Sequence, residues 1–488
     1  MSNKWMLGLS AMGLLAASGS VFGQNNWTGD ESDDWFDAAN WSGGVPTAAS
    51  SQVRINTTDP NPAVIDGAAA EAGGSFSVGH SSVGVLSIIN GGSLQSGTSS
   101  IVGSQSAGNG TVTISGAGSS WQAASATVGG SGFGELNVLA GGRWEVSSGT
   151  TSIGQAASGT GRLTVSGSGS SVEFDGPFWL GHSGSGEMVI SDGAQVFFNL
   201  TSTLGQAGNS QGDLLLTGAG SLLSGSRLHV GNSNSGRMRL ADGALLQLTG
   251  DGLPANYRLV IGANAGSDGE MVIGGPSGEV PEPPGQLDLD GGILFNGGAG
   301  TLVFNHSGSL DLPFPIEGPI GANASGSIRA ENGTTLFSGE PVDYSGSLEI
   351  AAGAVFGAGG QLGDVVNEGR LVASPGRSGT LAIDGDYSHG ENAVLEVQFA
   401  PGPALDLVEV SGEASFSGGT IGFRVLPGNY GRTPLDGVYP ILTASGGISG
   451  ELPQLETANP NAFVLFQDGK TLFVEVFDQM FNDRVEHD

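Results

Sequence analysis

The histidines and the missing cysteines limit the chemistry that this chain of 488 residues can perform. There is no cysteine, which excludes a cysteine nucleophile, and six histidines lack the His-Glu-x-x-His motif or any other metal-site spacing. These are His80, His182, His229, His306, His389 and His487. His80 and His182 follow a Val-Gly or Leu-Gly dipeptide that recurs along the chain before other small or polar residues. We interpret that place as a polar turn and not as a catalytic position.

Pairs of carboxylates could support glycoside hydrolysis, which needs two of them several ångströms apart in a cleft. The pairs Asp288/Asp290 and Glu173/Asp175 lie at positions i and i+2 of strand-like stretches. Neighbouring outward positions of an ordinary strand explain these pairs equally well, and no cleft is indicated. Strings such as Gly-Ser-Gly-Ser are repeat turns without the strand-to-helix setting of a serine nucleophile. We therefore assign no catalytic residue and expect that the protein is not an enzyme.

Acidic residues between positions 30 and 37 could bind Ca²⁺, which favours several oxygen ligands on a flexible loop. They are Asp30, Glu31, Asp33, Asp34 and Asp37. The Asp-x-Asp-x-Asp-Gly spacing of an EF-hand is absent, as is the Gly-Gly-x-Gly-x-Asp repeat of calcium-binding β-rolls. Calcium is therefore a weakly supported hypothesis, and no other metal or cofactor is expected.

Aromatic side chains on a surface can stack on the faces of sugar rings. Trp179 precedes a Leu-Gly dipeptide in a short strand-like stretch, and the pattern leaves open whether it faces the core or the solvent. It is our candidate for a carbohydrate contact.

These residues belong to, or lie beside, eight copies of one pattern between positions 75 and 273. Each copy reads x-apolar-Gly, a polar turn, Gly-x-apolar-x-apolar and a second Gly-rich turn. The glycines of the first half follow one another at 24, 26, 25, 27, 24, 26 and 31 residues, a period typical of a solenoid. They are Gly79, Gly103, Gly129, Gly154, Gly181, Gly205, Gly231 and Gly262.

Apolar-x-apolar alternation places both apolar side chains on one face of a strand, and that face must be buried. A single copy is too small to be stable, so the copies must stack, with glycine supplying corners at positive φ. Trp121 and Trp144 occupy a third apolar position that holds Leu or Val in other copies, which predicts that both fill the core. The predicted fold class is all-β: a β-helix, or β-solenoid, with 24–27 residues per rung and a C-terminal β-rich cap.

The composition indicates where the protein acts and which classes of partner are unfavourable. Lys4 followed by the small and apolar residues 6–21 predicts an export signal cleaved before Gln24, and no later run is long enough to span a membrane. The formal charge of −32 makes nucleic acid and anionic lipid unfavourable partners. We expect an exported protein at the cell surface, outside the cell or in the periplasm. Its partner would be an unidentified surface or matrix ligand, with polysaccharide among the candidates.

The stretch Asp-Trp-Phe-Asp-Ala-Ala-Asn-Trp-Ser-Gly-Gly-Val-Pro-Thr from Asp34 to Thr47, followed by the Val-Gly and Gly-x-Leu-x-Ile rungs, resembles a known repeat family. This family is shared by type V autotransporter passengers and PEP-CTERM-associated secreted proteins. The resemblance implies a passenger-like rod at the cell surface, closed at its end by a C-terminal module. Autotransporters continue into a membrane barrel, whereas this sequence stops at Asp488, so we expect a different route across any outer membrane.

We divide the chain into seven segments. They are a signal peptide at residues 1–23, a Trp/Asp-rich cap at 24–74, the eight-rung solenoid at 75–273, a Pro/Gly linker at 274–285, a second irregular solenoid segment at 286–364, an autotransporter-like β cap at 365–477 and a polar tail at 478–488.

Together these features predict an exported structural or adhesive surface protein that displays repeated polar turns on a stiff rod. A secreted carbohydrate-binding or polysaccharide-processing β-helix is the alternative. A third reading is a passenger remnant that folds but serves no purpose.

Overall fold

The computed structural model describes residues 23–249, 257–339, 341–400, 404–427, 437–456 and 463–477. The predicted signal peptide apart from Gly23, the polar tail at 478–488 and His487 lie outside the described residues.

The predicted fold class is confirmed: the chain winds into a parallel β-solenoid of about 15 turns. A typical turn has three strands, and each pairs in register with the equivalent strand of the next turn, so the rod has three faces. The described residues contain a single helical element, the 3-10 turn Ala38–Asn40. No helix of the described residues is long and apolar enough to cross a membrane.

The first face contains the strands that end in the x-apolar-Gly pattern and their continuation toward the C-terminus. They are Gln24–Asn26, Gln52–Ile55, Ser75–Val78, Ser99–Val102, Ala126–Val128, Thr151–Ile153, Phe178–Leu180, Leu259–Ile261, Ile293–Phe295, Ile316–Gly318, Val342–Tyr344, Gly360–Leu362, Thr380–Ile383, Leu407–Val410 and Gly437–Ala444.

The second face contains the strands of the Gly-x-apolar-x-apolar pattern and the strands that continue this face in both directions. They are Ala63–Asp66, Val83–Ile89, Asn109–Ser115, Phe133–Leu139, Thr160–Ser166, Ser185–Ser191, Gln211–Leu216, Ser235–Leu240, Asp268–Gly274, Ala299–Asp311, Ser325–Leu336, Ser347–Ile350, Val365–Asn367, Tyr387–His389, Glu413–Ser417 and Gly447–Glu451.

The third face contains Ala69–Ala72, Ser93–Ser96, Ser120–Ala123, Arg143–Val146, Ser171–Phe174, Leu245–Leu248 and Gln286–Leu289, while Gln195–Leu204 and Leu222–Val230 run through the third and first faces. A last column contains Val355–Ala358, Arg370–Ala373, Val394–Ala400, Thr420–Val425 and Gln454–Glu456. The stack ends in antiparallel pairs formed by Ala404–Leu405, Phe463–Asp468 and Thr471–Val476.

Glycine corners hold successive turns in close contact, as the repeat predicts. All eight glycines of the x-apolar-Gly pattern have φ between 65° and 76°. A Cβ atom at Gly154 would lie 2.1 Å from the carbonyl oxygen of Ser185 in the next turn. Both the positive φ and this contact exclude a larger residue without local rearrangement.

Large aromatic side chains fill the core of the N-terminal half. Trp121 and Trp144 are 1% and 0% exposed and stack with ring centroids 5.8 Å apart, as expected for the third apolar position. Trp27, Trp35 and Trp41 lie buried at the N-terminal end, where Trp41 contacts each of the other two rings edge to face. These rings cover the first turns of the core, which would otherwise meet solvent.

The proline-rich residues 275–285 form a loop that leaves the solenoid and returns to it. Strands before and after the loop, Leu245–Leu248 and Gln286–Leu289, pair directly in parallel register. The loop packs beside the second face, where Glu282 pairs with Arg239 at 2.5 Å. The stacking of turns therefore continues across the segment that the sequence marks as a linker.

Candidate functional site

Trp179 lies on the outer side of the first face, so the structure decides the direction that its sequence left open. Its side chain is partly exposed, and its ring stacks on the imidazole of His182 with centroids 4.6 Å apart and an interplanar angle of 21°. The cross-strand neighbours of Trp179 are Ser152 and Thr203. A small polar and aromatic platform results.

The acidic residues near the N-terminus serve local turns. The Asp34 carboxylate accepts the Phe36 N–H at 2.9 Å, and the Asp37 carboxylate accepts the Ala39 N–H at 2.9 Å as the cap of the 3-10 turn. In the described part of the chain, no three His, Asp or Glu side chains are arranged to hold a metal ion. The calcium hypothesis stays a prediction without an assembled set of ligands.

Two histidines of the described residues, His306 and His389, are fully buried. His306 Nε2 lies 2.9 Å from the Thr335 hydroxyl, and His389 Nδ1 lies 2.7 Å from the Tyr387 hydroxyl. Burial lowers the pKa of both imidazoles, to about 4 for His389, and keeps them neutral near pH 7.

The carboxylate pairs named from the sequence are joined to neighbouring turns. Glu173 forms an ion pair with Arg143 at 2.9 Å, and Asp175 accepts a hydrogen bond from the Asn199 amide at 3.1 Å. Asp288 accepts one from the Gln247 amide at 2.8 Å. These contacts are what outward positions of stacked strands provide.

A column of charged side chains runs along the second face, parallel to the axis of the rod. Its members occupy the third residue of successive strands, and in-register pairing places them one above another, about 4.8 Å apart. They are Glu135, Arg162, Glu187, Asp213, Arg237 and Glu270. Two pairs form salt bridges: Arg162 with Glu187 at 2.9 Å, and Arg237 with Glu270 at 3.5 Å.

A groove of about 560 Å³ lies beside this column. Its lining includes Glu187 and Asp213 of the column, the partly exposed apolar side chains of Val189 and Leu215 beside them, which we call its floor, and Pro276 of the proline-rich loop. Its size falls in the range of small-molecule pockets, about 300–1,000 Å³. We call this feature the second-face groove.

Asp213 lines the groove and is partly buried. Partial burial raises its pKa, against the opposing influences of Arg237 and of a hydrogen bond from Gln211 Nε2 at 2.8 Å, while Glu187 raises it further. The ionised form is therefore less well compensated here than on an open surface.

Sequence reasoning missed the second-face groove. Its charged members stand at the x between the repeat glycine and the apolar pair, a position that the pattern leaves unspecified. In consecutive copies this position holds Glu, Arg, Glu, Asp, Arg and Glu, and this recurrence of charge could have indicated the column. The packing of the proline-rich loop against the same face had no counterpart in the repeat pattern.

Comparisons with known proteins find partial similarity of the chain to two uncharacterised proteins of Escherichia coli K12. No protein-family model matches it. It is similar to an uncharacterised lipoprotein of Escherichia coli K12, YdeK, with 29% identity over 219 residues, which cover 43% of this chain and 16% of that protein. It is also similar to the uncharacterised protein YuaQ of the same strain, with 27% identity over 224 residues, or 44% of this chain and 15% of that protein. The similarity thus spans only about a sixth of either relative.

Proposed function

We propose that the protein is an exported structural or adhesive module that acts at the cell surface by presenting repeated polar turns on a stiff rod. The observation that carries this proposal is the stack of parallel strands, which extends from the pairing of Gln24–Asn26 with Gln52–Ile55 to that of Thr420–Val425 with Gln454–Glu456. The strands pair in register apart from shifts at two of the pairings. A parallel stack of this kind places equivalent outward side chains at a fixed spacing. Weak contacts made by such an array add up through multiplicity.

Charge and similarity support the same proposal. The strong negative charge repels neighbouring rods and protects long β-surfaces from pairing with each other. One of the similar proteins is named a lipoprotein, which is in keeping with a place in the cell envelope. The passenger-like character of the sequence is a further reason to expect display outside the cell.

Localisation of the native protein tests the proposal. Antibody detection in medium, surface and periplasmic fractions should find the full-length chain on the surface or in the matrix, where protease added to intact cells should degrade it. A deletion strain should adhere less, and the intact gene should restore adhesion. Protein retained in the periplasm and inaccessible to protease would contradict the proposal and favour the passenger-remnant reading.

Carbohydrate binding is the second candidate, and the partly exposed Trp179 ring on His182 is the observation that favours it. An aromatic face of this kind can stack on a sugar ring. Affinity electrophoresis against a panel of polysaccharides should then show retardation that Trp179→Ala abolishes and Trp179→Phe largely preserves. A chain that migrates equally through every polysaccharide would remove this candidate. Even with binding, turnover would need a catalytic pair, and we expect none.

A further inference from the structure

The second-face groove contains a carboxylate, Asp213, whose cross-strand neighbour Arg237 pairs instead with Glu270 at 3.5 Å. Glu187 has Arg162 at 2.9 Å, and Arg239, the cross-strand neighbour of Leu215, has Glu282 at 2.5 Å. Asp213 forms no salt bridge with any described basic side chain and receives one hydrogen bond from the neutral Gln211 amide. A cation entering the groove would find its counter-charge at this residue.

The floor of the groove favours an aliphatic ligand over a sugar or a bare ion. Val189 and Leu215 are partly exposed and face outward beside the charged column, one turn apart. No aromatic ring is among the described residues that line the groove, so it lacks the platform on which sugars stack. A simple inorganic cation would leave the apolar floor in contact with water.

We propose that the second-face groove binds a small linear aliphatic amine, with the ammonium group at Asp213 and the alkyl chain over Leu215 and Val189. Asp213 and Leu215 lie two residues apart on the same side of one strand, a separation of about 7 Å. An alkyl chain of about five carbons matches that separation. Burying the chain removes apolar surface from water, while the ammonium group pairs with a carboxylate that burial has left poorly compensated.

The proposal does not depend on surface display, because it concerns one groove and not the repeated turns. Long-range attraction by the acidic chain raises the local concentration of every cation, and it confers no preference for an alkyl chain. The dependence on chain length and on Asp213 therefore separates a defined site from diffuse attraction.

Saturation-transfer NMR and calorimetric titration of the intact mature chain with n-pentylamine test the site. Pentylamine should bind in the millimolar range or tighter, and at least fourfold more tightly than propylamine, because each buried methylene contributes up to about fourfold. Pentanol and ammonium chloride, which supply only the chain or only the charge, should bind at least tenfold more weakly than pentylamine.

Asp213→Asn should weaken pentylamine binding at least tenfold, and Leu215→Ser should reduce the chain-length preference. Glu135→Gln is the matched control, because it removes the same charge from the same column two turns before Glu187 and outside the groove lining. It should change the affinity by less than twofold. All three positions face outward, and circular dichroism should confirm that the fold is unchanged.

Equal weakening by Asp213→Asn and Glu135→Gln would overturn the proposal, because it would show diffuse attraction. Pentylamine that binds no more tightly than ammonium would overturn it as well. A lysine-containing peptide that binds where free pentylamine does not would also refute it, since contacts with the peptide backbone would then be responsible. Either surface or periplasmic localisation of the protein is compatible with every one of these results.

Discussion

Replacing Asp406 with Asn should change how the C-terminal turns of the solenoid respond to pH. Asp406 is fully buried, and its two carboxyl oxygens accept the backbone N–H groups of Gly379 at 2.8 Å and Gln398 at 2.7 Å. Burial raises the pKa of Asp406 to about 7 against the effect of these two donors, and the nearby Glu396 raises it further. The folded turns therefore bind this proton more tightly than the unfolded chain does.

The sign and size of the effect follow from the difference between the two states. An unfolded Asp has a pKa of about 3.9, so the stabilisation from protonated Asp406 is complete below about pH 4 and is lost as the pH rises through about 7. At about 1.36 kcal/mol per pKa unit the whole loss approaches ~4 kcal/mol, of which roughly 2.5 kcal/mol falls between pH 5 and pH 8. Asn does not ionise, so the variant lacks this pH-dependent loss.

Hydrogen exchange measured by mass spectrometry can follow the strands Val394–Ala400 and Leu407–Val410 directly. The ratio of protection factors, Asp406→Asn over wild type, should increase nearly a hundredfold between pH 5 and pH 8. The Asn amide offers one acceptor oxygen where Asp offers two, and this loss lowers the ratio equally at both pH values. The exposed Asp384, changed to Asn, is the control and should show a constant ratio. A ratio for Asp406→Asn that changes less than threefold would refute the reasoning.

Three further predictions concern the core, the glycine corners and a buried histidine. Trp144→Ala should lower the free energy of unfolding, measured in urea titrations, by about 3–5 kcal/mol because Trp144 is buried. Trp179→Ala, on the outer side, should lower it by less than about 1 kcal/mol. Equal losses would contradict the assignment of Trp144 to the core and Trp179 to the surface. Gly154→Val should prevent soluble expression or reduce the melting temperature strongly, and a neutral result would show that the corner can rearrange. Because burial lowers the pKa of His389 to about 4, its neutral form contributes stability that is complete above about pH 6.5 and is lost as the pH falls toward 4. In hydrogen-exchange experiments the ratio of protection factors, His389→Gln over wild type, should therefore increase as the pH falls from 7 to 4.5. An unchanged ratio would contradict this prediction.

The inward positions of the rod were predictable because their spacing has a direct physical cause. Alternating apolar residues share one face, and glycine recurs wherever one turn meets the next, so Trp121, Trp144 and Gly154 could be placed before any coordinates were known. Trp179 was harder, because it sits in a strand of three residues that is too short to show a clear alternation.

The groove and the buried ionisable groups could not be predicted in the same way. Asp213 stands at a position that the repeat leaves open, and its environment depends on a proline-rich loop packing nearby, which is a tertiary event. His389 and Asp406 lie in the less regular C-terminal turns, where no repeat distinguishes inward from outward positions. Charged and basic side chains are mostly exposed in folded proteins, so the burial of such a side chain can be recognised only when the packing is known.

The solenoid separates the residues that stabilise it from those available for binding. An inward substitution such as Trp144→Ala disturbs two neighbouring turns, because Trp144 lies in register between Trp121 of one turn and Val172 of the other. An outward substitution such as Asp213→Asn changes one step of a surface column and leaves the hydrogen-bonded ladder intact. Binding sites can therefore vary along the outer columns at little cost in stability. This is the physical reason to test the second-face groove and the surface beside Trp179 for binding, and not the glycine corners or the inward positions of the repeat.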